Sequence, residues 1–144
     1  MAKTDLTLVR PPTTLVDACV LLDLTTDDPK WADWSEDALA RAGDEGPLVI
    51  NPIVYAEVSV DFGSIEELDE VLAEAELQRE PLPFEAGFLA GKAYVSYRRR
   101  GGTRRSPIAD FYIGAHAAIA GHRLLTRDAN RYLTYFPSVP VIAP

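Results

Sequence analysis

Short apolar segments alternate along this chain with longer segments that carry helix signals, and this alternation constrains the fold more than any other feature. Segments with strand character lie at 15–16, 48–50, 79–82 and 123–126, and a fifth at 139–142 has the character of an edge strand. Helical segments separate them. Strands that alternate with helices favour a mostly parallel sheet that is covered on both faces. We therefore predict an α/β fold with a central sheet of four to five strands.

The helical segments are recognised by the residues at their ends. Asn51 followed by Pro52, and Ser106 followed by Pro107, are each typical of a helix cap and the first helical residue. Glycines after the last turns are typical helix stops. The predicted helices cover 19–24, 29–41, 52–62, 65–77, 84–100, 107–121 and 129–135.

Four acidic residues lie at the edges of apolar segments, where burial of a charge is costly: Asp17, Glu57, Asp110 and Asp128. Isolated carboxylates in such surroundings should be neutralised or paired. Asp17 and Asp128 follow predicted strands, whereas Glu57 and Asp110 lie in the early turns of helices. All four can therefore reach the carboxyl edge of the sheet, which is where ligands bind in open α/β folds.

Four clustered carboxylates are suited to hard divalent cations such as Mg²⁺ or Mn²⁺. Two such ions, ~3.5–4 Å apart, activate a water and stabilise the leaving oxygen of a phosphodiester. Without metal, repulsion among the carboxylates should raise some of their pKa values. The alternative is that the four acids are separate helix caps and surface ion pairs. The sequence leaves open whether Asp23, Asp61 or Asn130 joins the site.

The chain has a net charge of −8, which by itself argues against a nucleic-acid partner, but its charge is unevenly distributed. Residues 98–131 contain eight arginines and only two acids, and those acids are Asp110 and Asp128. Arg104 and Arg105 precede the predicted helix that carries Asp110, so they are the best candidates to contact phosphates. The alternative is an ordinary solvated surface.

The cysteine and histidines give no sign of another site. Cys19 is the single cysteine, so no disulfide forms within this sequence, and we expect a small buried side chain. His116 is predicted to pack or hydrogen bond, and His122 to act at a helix end. Neither has a Cys or His partner at zinc-site spacing. Without an apolar signal core or the ~20 apolar residues of a membrane helix, we expect a soluble cytoplasmic protein that does not bind membranes.

Four segments around the acids resemble the acidic motifs of PIN-domain ribonucleases: TLVDACVLLDL, NPIVYAEV, PIADFYIGAHA and LLTRDANRYLTYFP. The similarity is strongest to VapC-type toxins of bacterial type II toxin–antitoxin pairs. It covers nearly the whole chain, with the motifs in order. The resemblance implies a single PIN domain over 1–144, with a three-layer α/β sandwich.

The resemblance also implies a metal-dependent endoribonuclease that uses Mg²⁺ or Mn²⁺ to hydrolyse RNA. Its catalytic metal ligands would be Asp17, Glu57, Asp110 and Asp128, supported by the Thr126 hydroxyl. Homodimerisation and inhibition by a cognate antitoxin protein are implied as well. Family members often have Thr, Ser or Asn two residues after the first Asp, where this chain has Cys19. The alternative interpretation is a non-catalytic PIN-like module that binds RNA or protein.

Overall fold

The computed structural model describes residues 10–106 and 108–144, which form five strands and seven helices. None of these helices has the length and apolar composition needed to cross a membrane. In chain order the elements are β1 (Thr14–Val16), α1 (Ala18–Thr25), α2 (Ala32–Glu45), β2 (Leu48–Ile50), α3 (Pro52–Ser59), α4 (Ile65–Glu74), β3 (Leu77–Arg79), α5 (Phe84–Arg99), α6 (Ala109–Ala120), β4 (Arg123–Leu125), α7 (Asn130–Tyr135) and β5 (Val141–Ile142).

The strands form one sheet in the order β3-β2-β1-β4-β5, and every neighbouring pair is parallel. Every residue of β1 and β2 is buried. Because successive side chains of a strand point to opposite faces, both faces of the central sheet must be covered. The predicted α/β fold, with a parallel sheet of four to five strands flanked by helices, is confirmed.

The edge strand β3 lies earlier than the predicted 79–82 segment. Helix α4 ends at Glu74, and Glu76 then adopts the left-handed conformation, with φ 58°. The left-handed residue that follows a helix is usually Gly or Asn. Here it is Glu76, so the sequence carries no visible signal that the helix ends. Two of the three residues of β3 are exposed, Gln78 and Arg79. An exposed polar edge strand has no apolar run to reveal it.

Two helices begin later than their proline signals predict. Helix α2 starts after a turn in which the Asp28 carboxylate accepts hydrogen bonds from the backbone N–H groups of Lys30 and Trp31, both at 2.9 Å. Helix α6 begins at Ala109, because Ile108 is still extended. The predicted start at Pro107 lies outside the described residues.

The strand order creates a topological switch between β1 and β4. The chain runs from β1 outward through β2 to β3, and then returns to β4 on the other side of β1. The backbone N–H of Asp17 donates to the carbonyl of Leu125 at 2.9 Å, which joins the carboxyl ends of the two strands. In open α/β sheets the binding crevice lies outside the strand ends at such a point. The fold therefore places Asp17 where a ligand site is expected.

Helix α6 packs so closely on Phe136 that a Cβ added at Gly114 would lie 2.3 Å from the ring. We predict that Gly114→Ala lowers the free energy of unfolding by about 1–3 kcal/mol, because the buried ring has to move. Urea denaturation would measure this loss. The matched control is Gly91→Ala in α5, where the added methyl meets nothing within 4 Å. It should stabilise the protein by about 0.5–1 kcal/mol, and equal effects of the two changes would contradict the close contact.

Candidate active site

Asp17 follows β1 and caps the N-terminus of α1. Its Oδ1 accepts a hydrogen bond from the backbone N–H of Ala18 at 2.8 Å. Its Oδ2 accepts from the hydroxyls of Thr126 at 2.8 Å and Tyr132 at 3.1 Å. The side chain is buried, with 7% of the residue exposed. Three donors therefore hold this carboxylate in one orientation at the switch point.

Asp110 lies in the first turn of α6 and shares the Tyr132 hydroxyl with Asp17. Its Oδ1 lies 3.3 Å from that hydroxyl, and its Oδ2 lies 3.6 Å from Arg131 Nε. A phenol has one hydrogen to donate, so Tyr132 can satisfy only one of the two carboxylates at a time. Burial, and then the charges of Asp17 and Asp110, raise the pKa of Tyr132, so it remains a neutral donor.

Glu57 projects from α3, whose N-terminus is capped by the Asn51 side chain. One carboxylate oxygen, Oε1, is buried and has no hydrogen-bond partner in the described part of the chain. Burial, and then the charges of Asp17 and Asp110, raise the pKa of Glu57 to about 7. Burial and the charge of Asp17 likewise raise the pKa of Asp110. These shifts agree with the expectation that the metal-free acids repel one another.

Asp128 is exposed and lies in the turn after β4. Its backbone N–H donates to the Thr126 hydroxyl oxygen at 3.1 Å, and that hydroxyl donates to Asp17. The charge of Asp128 also contributes to the raised pKa of Asp110. The structure thus brings the four predicted acids to the carboxyl edge of the sheet, and Asp128 is the most exposed of them.

The donor set fits a hard divalent cation. A buried carboxylate oxygen without a partner, next to two further carboxylates, is the situation that a bound cation would relieve. The four acids form an open arrangement rather than a compact one. Across residues 10–106 and 108–144, one set of three His, Cys, Asp or Glu side chains has all its ligand atoms within 4.8 Å of one another, and it is Glu80, His116 and His122.

Sequence reasoning missed Tyr132 and Arg131. An aromatic residue in a short terminal helix has the character of a core residue, and Tyr132 is indeed 1% exposed. Its one distinctive feature in the sequence is that it lies four residues after Asp128. Arg131 was included in the arginine-rich stretch but was not singled out. Its guanidinium lies over the rings of Tyr97 and Phe111, which positions it beside Asp110.

Cys19 keeps a weak polar contact with the first acid. Its Sγ lies 3.7 Å from Asp17 Oδ2 and 3.6 Å from Thr126 Oγ1. Burial, and then the charge of Asp17, raise the pKa of the thiol, so it stays protonated and can donate weakly. Cys19 therefore makes a polar contact with Asp17, although a thiol is a weaker donor than a hydroxyl or an amide.

Of the other acidic and amide candidates, Asp23 is held by partners outside the four acids. It is buried and binds Ser35 and Arg127. Asp61 and Asn130 are exposed, and their participation in the site remains a prediction. Asp23 therefore has a structural partner that the sequence pattern did not indicate.

The arginines proposed to contact phosphates lie in the loop before α6, and both Arg104 and Arg105 are exposed. The carbonyl of Arg104 accepts hydrogen bonds from the Tyr94 hydroxyl at 2.9 Å and from Arg98 Nη1 at 2.8 Å. These bonds anchor the loop to α5 and leave the two side chains in solvent. Their contact with RNA remains a prediction.

The raised pKa of Glu57 predicts how the stability of the metal-free protein depends on pH. A carboxyl group whose pKa is higher in the folded state binds its proton more tightly there, so its contribution to stability falls as the pH rises from 4.5 to about 7. Above pH 7 we expect the free energy of unfolding of metal-free Glu57→Gln to exceed that of the wild type by about 1–2 kcal/mol. This figure is reduced for solvent screening, because the Glu57 side chain is half-exposed.

Urea denaturation in the presence of a chelator, at pH 4 and pH 8, measures this effect. The gain should be confined to the higher pH, since Glu57 is protonated in both states at the lower one. Glu70→Gln, on the exposed side of α4, is the control and should show no comparable dependence. A gain at pH 4 as large as that at pH 8 would show that the charge of Glu57 is not its source.

Comparison with known proteins places this geometry in a family. No curated protein matches the chain. Among solved structures, VapBC2 from Rickettsia felis, bound to a DNA fragment from its promoter, is similar with a TM-score of 0.69 and 14% identity, covering 92% of this chain and 98% of that one. VapBC-1 from nontypeable Haemophilus influenzae is similar with a TM-score of 0.67 and 16% identity, covering 91% of this chain and 97% of that one. VapBC-5 from Mycobacterium tuberculosis has a TM-score of 0.57 and 17% identity, covering 92% of this chain and 98% of that one.

At these identities the structural matches establish a shared fold. The sequence itself matches the family model described as "PIN domain" over residues 14–136, which include all four acids. The chain therefore belongs to the PIN domain family.

Proposed function

We propose that this protein is a metal-dependent endoribonuclease that hydrolyses RNA phosphodiester bonds. The observation that carries the proposal is the buried Oε1 of Glu57, which has no hydrogen-bond partner among the described residues and lies beside Asp17 and Asp110 at the topological switch point. Negative charge concentrated in this way destabilises the metal-free state. A bound cation would neutralise this charge, which supports a cation-dependent function. Membership of the PIN family supports the choice of a nuclease.

The residues that would hold the ion are Asp17, Glu57, Asp110 and Asp128. Bound Mg²⁺ or Mn²⁺ would supply Lewis-acid activation of water and neutralise charge on the phosphate. Thr126 and Tyr132 orient the Asp17 carboxylate through their hydroxyls.

Basic residues beside the acids would bind the RNA backbone. Arg131 lies next to Asp110, and its side chain is 35% exposed. Its guanidinium would contact the phosphate that is cleaved. The exposed side chains of Arg104 and Arg105 would contact neighbouring phosphates.

We further propose that the chain is the toxin of a VapBC-type pair, acting in the cytoplasm as a single PIN domain over 1–144. Similar solved structures are VapBC assemblies, and another is a toxin–antitoxin complex from Klebsiella pneumoniae. On this chain, Phe84 and Phe88 lie four residues apart in α5 and are 96% and 70% exposed. Exposed aromatic side chains on one face of a helix suit a partner protein, here a cognate antitoxin or the second subunit of a homodimer.

Cleavage of end-labelled RNA by the purified, metal-free protein tests the nuclease proposal. Added Mn²⁺ or Mg²⁺ should start cleavage, a chelator should stop it, and the products should carry 5′-phosphate and 3′-hydroxyl ends. RNA binding without cleavage in Mn²⁺ would instead support a non-catalytic module. The toxin proposal has a separate readout, since induced expression should arrest growth and coexpression of a neighbouring antitoxin gene should restore it.

A further inference from the structure

Glu80, His116 and His122 form a second cluster of ligand-type side chains. Glu80 directly follows the edge strand β3, His116 lies fully buried within α6, and His122 follows the last residue of that helix and its glycine cap. These are the two histidines of the chain. Their spacing in sequence has no zinc-site pattern, and it is the fold that brings Glu80 to them across 36 and 42 residues.

Both imidazoles point at one atom. Nε2 of His116 lies 2.7 Å from Glu80 Oε1, and Nε2 of His122 lies 2.6 Å from the same oxygen. The ring centroids are 5.8 Å apart. Two ring nitrogens that converge on a single point leave room there for one small ion, provided that the carboxylate oxygen moves back.

The cluster is open to an ion from solvent at Glu80. Its side chain is 33% exposed, so the carboxylate can withdraw toward solvent and water can reach the site.

We propose that Glu80, His116 and His122 form a binding site for a borderline transition-metal ion such as Zn²⁺, separate from the four acids. Two imidazole nitrogens and one carboxylate are a donor set that Zn²⁺ accepts, with water as the fourth ligand. Mg²⁺ prefers oxygen ligands and would not compete here. Zn–N bonds of about 2.0–2.1 Å place the ion between the two rings.

Asn51 couples this site to the helix that carries Glu57. Its Oδ1 accepts from the backbone N–H of Val54 at 3.0 Å as the cap of α3, which turns Nδ2 toward His116 Nδ1 at 3.0 Å. In the metal-free protein Nδ1 is therefore the acceptor, and the His116 proton is on Nε2. Zinc at Nε2 moves that proton to Nδ1, so the Asn51 amide has to turn its oxygen toward His116 and give up its cap of α3, which makes zinc binding weaker in the wild type than the three ligands alone would allow.

The conflict between the Asn51 amide and the Nδ1–H of His116 can be removed by a single substitution. In Asn51→Asp, one carboxylate oxygen can still cap α3 while the other accepts the Nδ1–H of His116. A carboxylate that receives the second N–H of a ligating histidine changes metal affinity by about 10–100-fold. Asn51→Asp should therefore bind Zn²⁺ about tenfold more tightly than the wild type, whereas Glu80→Gln should bind at least tenfold more weakly.

Zinc titration followed by ¹⁵N NMR of the imidazole rings tests the proposal in a background of excess Mg²⁺. One equivalent of Zn²⁺ should shift both histidine ring signals together, while Mg²⁺ alone shifts neither. The backbone amide spectrum shows whether each variant is folded, and His122→Gln provides a second loss-of-ligand variant. Zinc binding that leaves the ring signals unmoved, or that Asn51→Asp weakens, would overturn the site. Neither outcome depends on whether the protein cleaves RNA.

Discussion

Replacing Asp110 with asparagine should lower the rate of RNA cleavage by about 100–1,000-fold or more, the loss typical for one group that stabilises charge in a transition state. The variant removes one negative charge from the group formed with Asp17 and Glu57, and with it a ligand for the divalent ion. The fold should survive, because the amide oxygen of asparagine can still accept the hydrogen bond from Tyr132.

Initial rates of cleavage of a labelled RNA in Mn²⁺ measure this loss, and calorimetric titration with Mn²⁺ shows whether metal affinity falls with it. The matched control is Asp37→Asn, an exposed aspartate of α2 that pairs with Arg41. It removes the same charge from an exposed ion pair that includes none of the four acids and should retain the wild-type rate. Wild-type cleavage by purified Asp110→Asn would show that the four acids are not the reactive centre.

The central strands could be predicted because their chemistry is local. The strands at Leu48–Ile50 and Arg123–Leu125 each contain buried aliphatic residues bounded by turn or cap signals, so short windows of sequence reveal them. The edge strand β3 was misplaced because two of its three residues are polar and exposed. What a short window cannot show is a conformation such as that of Glu76, which ends α4 without a glycine.

The convergence of the four acids could be predicted for a related reason, since parallel topology brings strand ends and helix starts to one edge. Their supporting contacts could not. The hydroxyl of Tyr132 reaches Asp17 across 115 residues, and Arg127 reaches Asp23 across 104. These pairings depend on side-chain rotamers and on the packing of α7 and the turn after β4, which leave no periodic signal in the sequence.

The ion pair between Asp23 and Arg127 supports the turn that carries Asp128. The Asp23 side chain is 3% exposed, and its two oxygens accept hydrogen bonds from Arg127 Nε at 2.9 Å and Nη2 at 3.0 Å. Ser35 Oγ donates to Oδ2 of the same carboxylate at 2.7 Å. The backbone N–H of Arg127 also contacts Cys19 Sγ at 3.4 Å, which ties this pair to the first acid.

Arg127→Ala should therefore lower the free energy of unfolding by about 3–5 kcal/mol, because it leaves a buried carboxylate with a single hydroxyl donor. Urea denaturation of the metal-free protein measures the loss. Asp23→Leu combined with Arg127→Met removes both charges and keeps the apolar volume, so it should lose far less than Arg127→Ala. If the double variant is as unstable as Arg127→Ala, the arginine acts through the turn before Asp128 and not through neutralisation of the buried carboxylate.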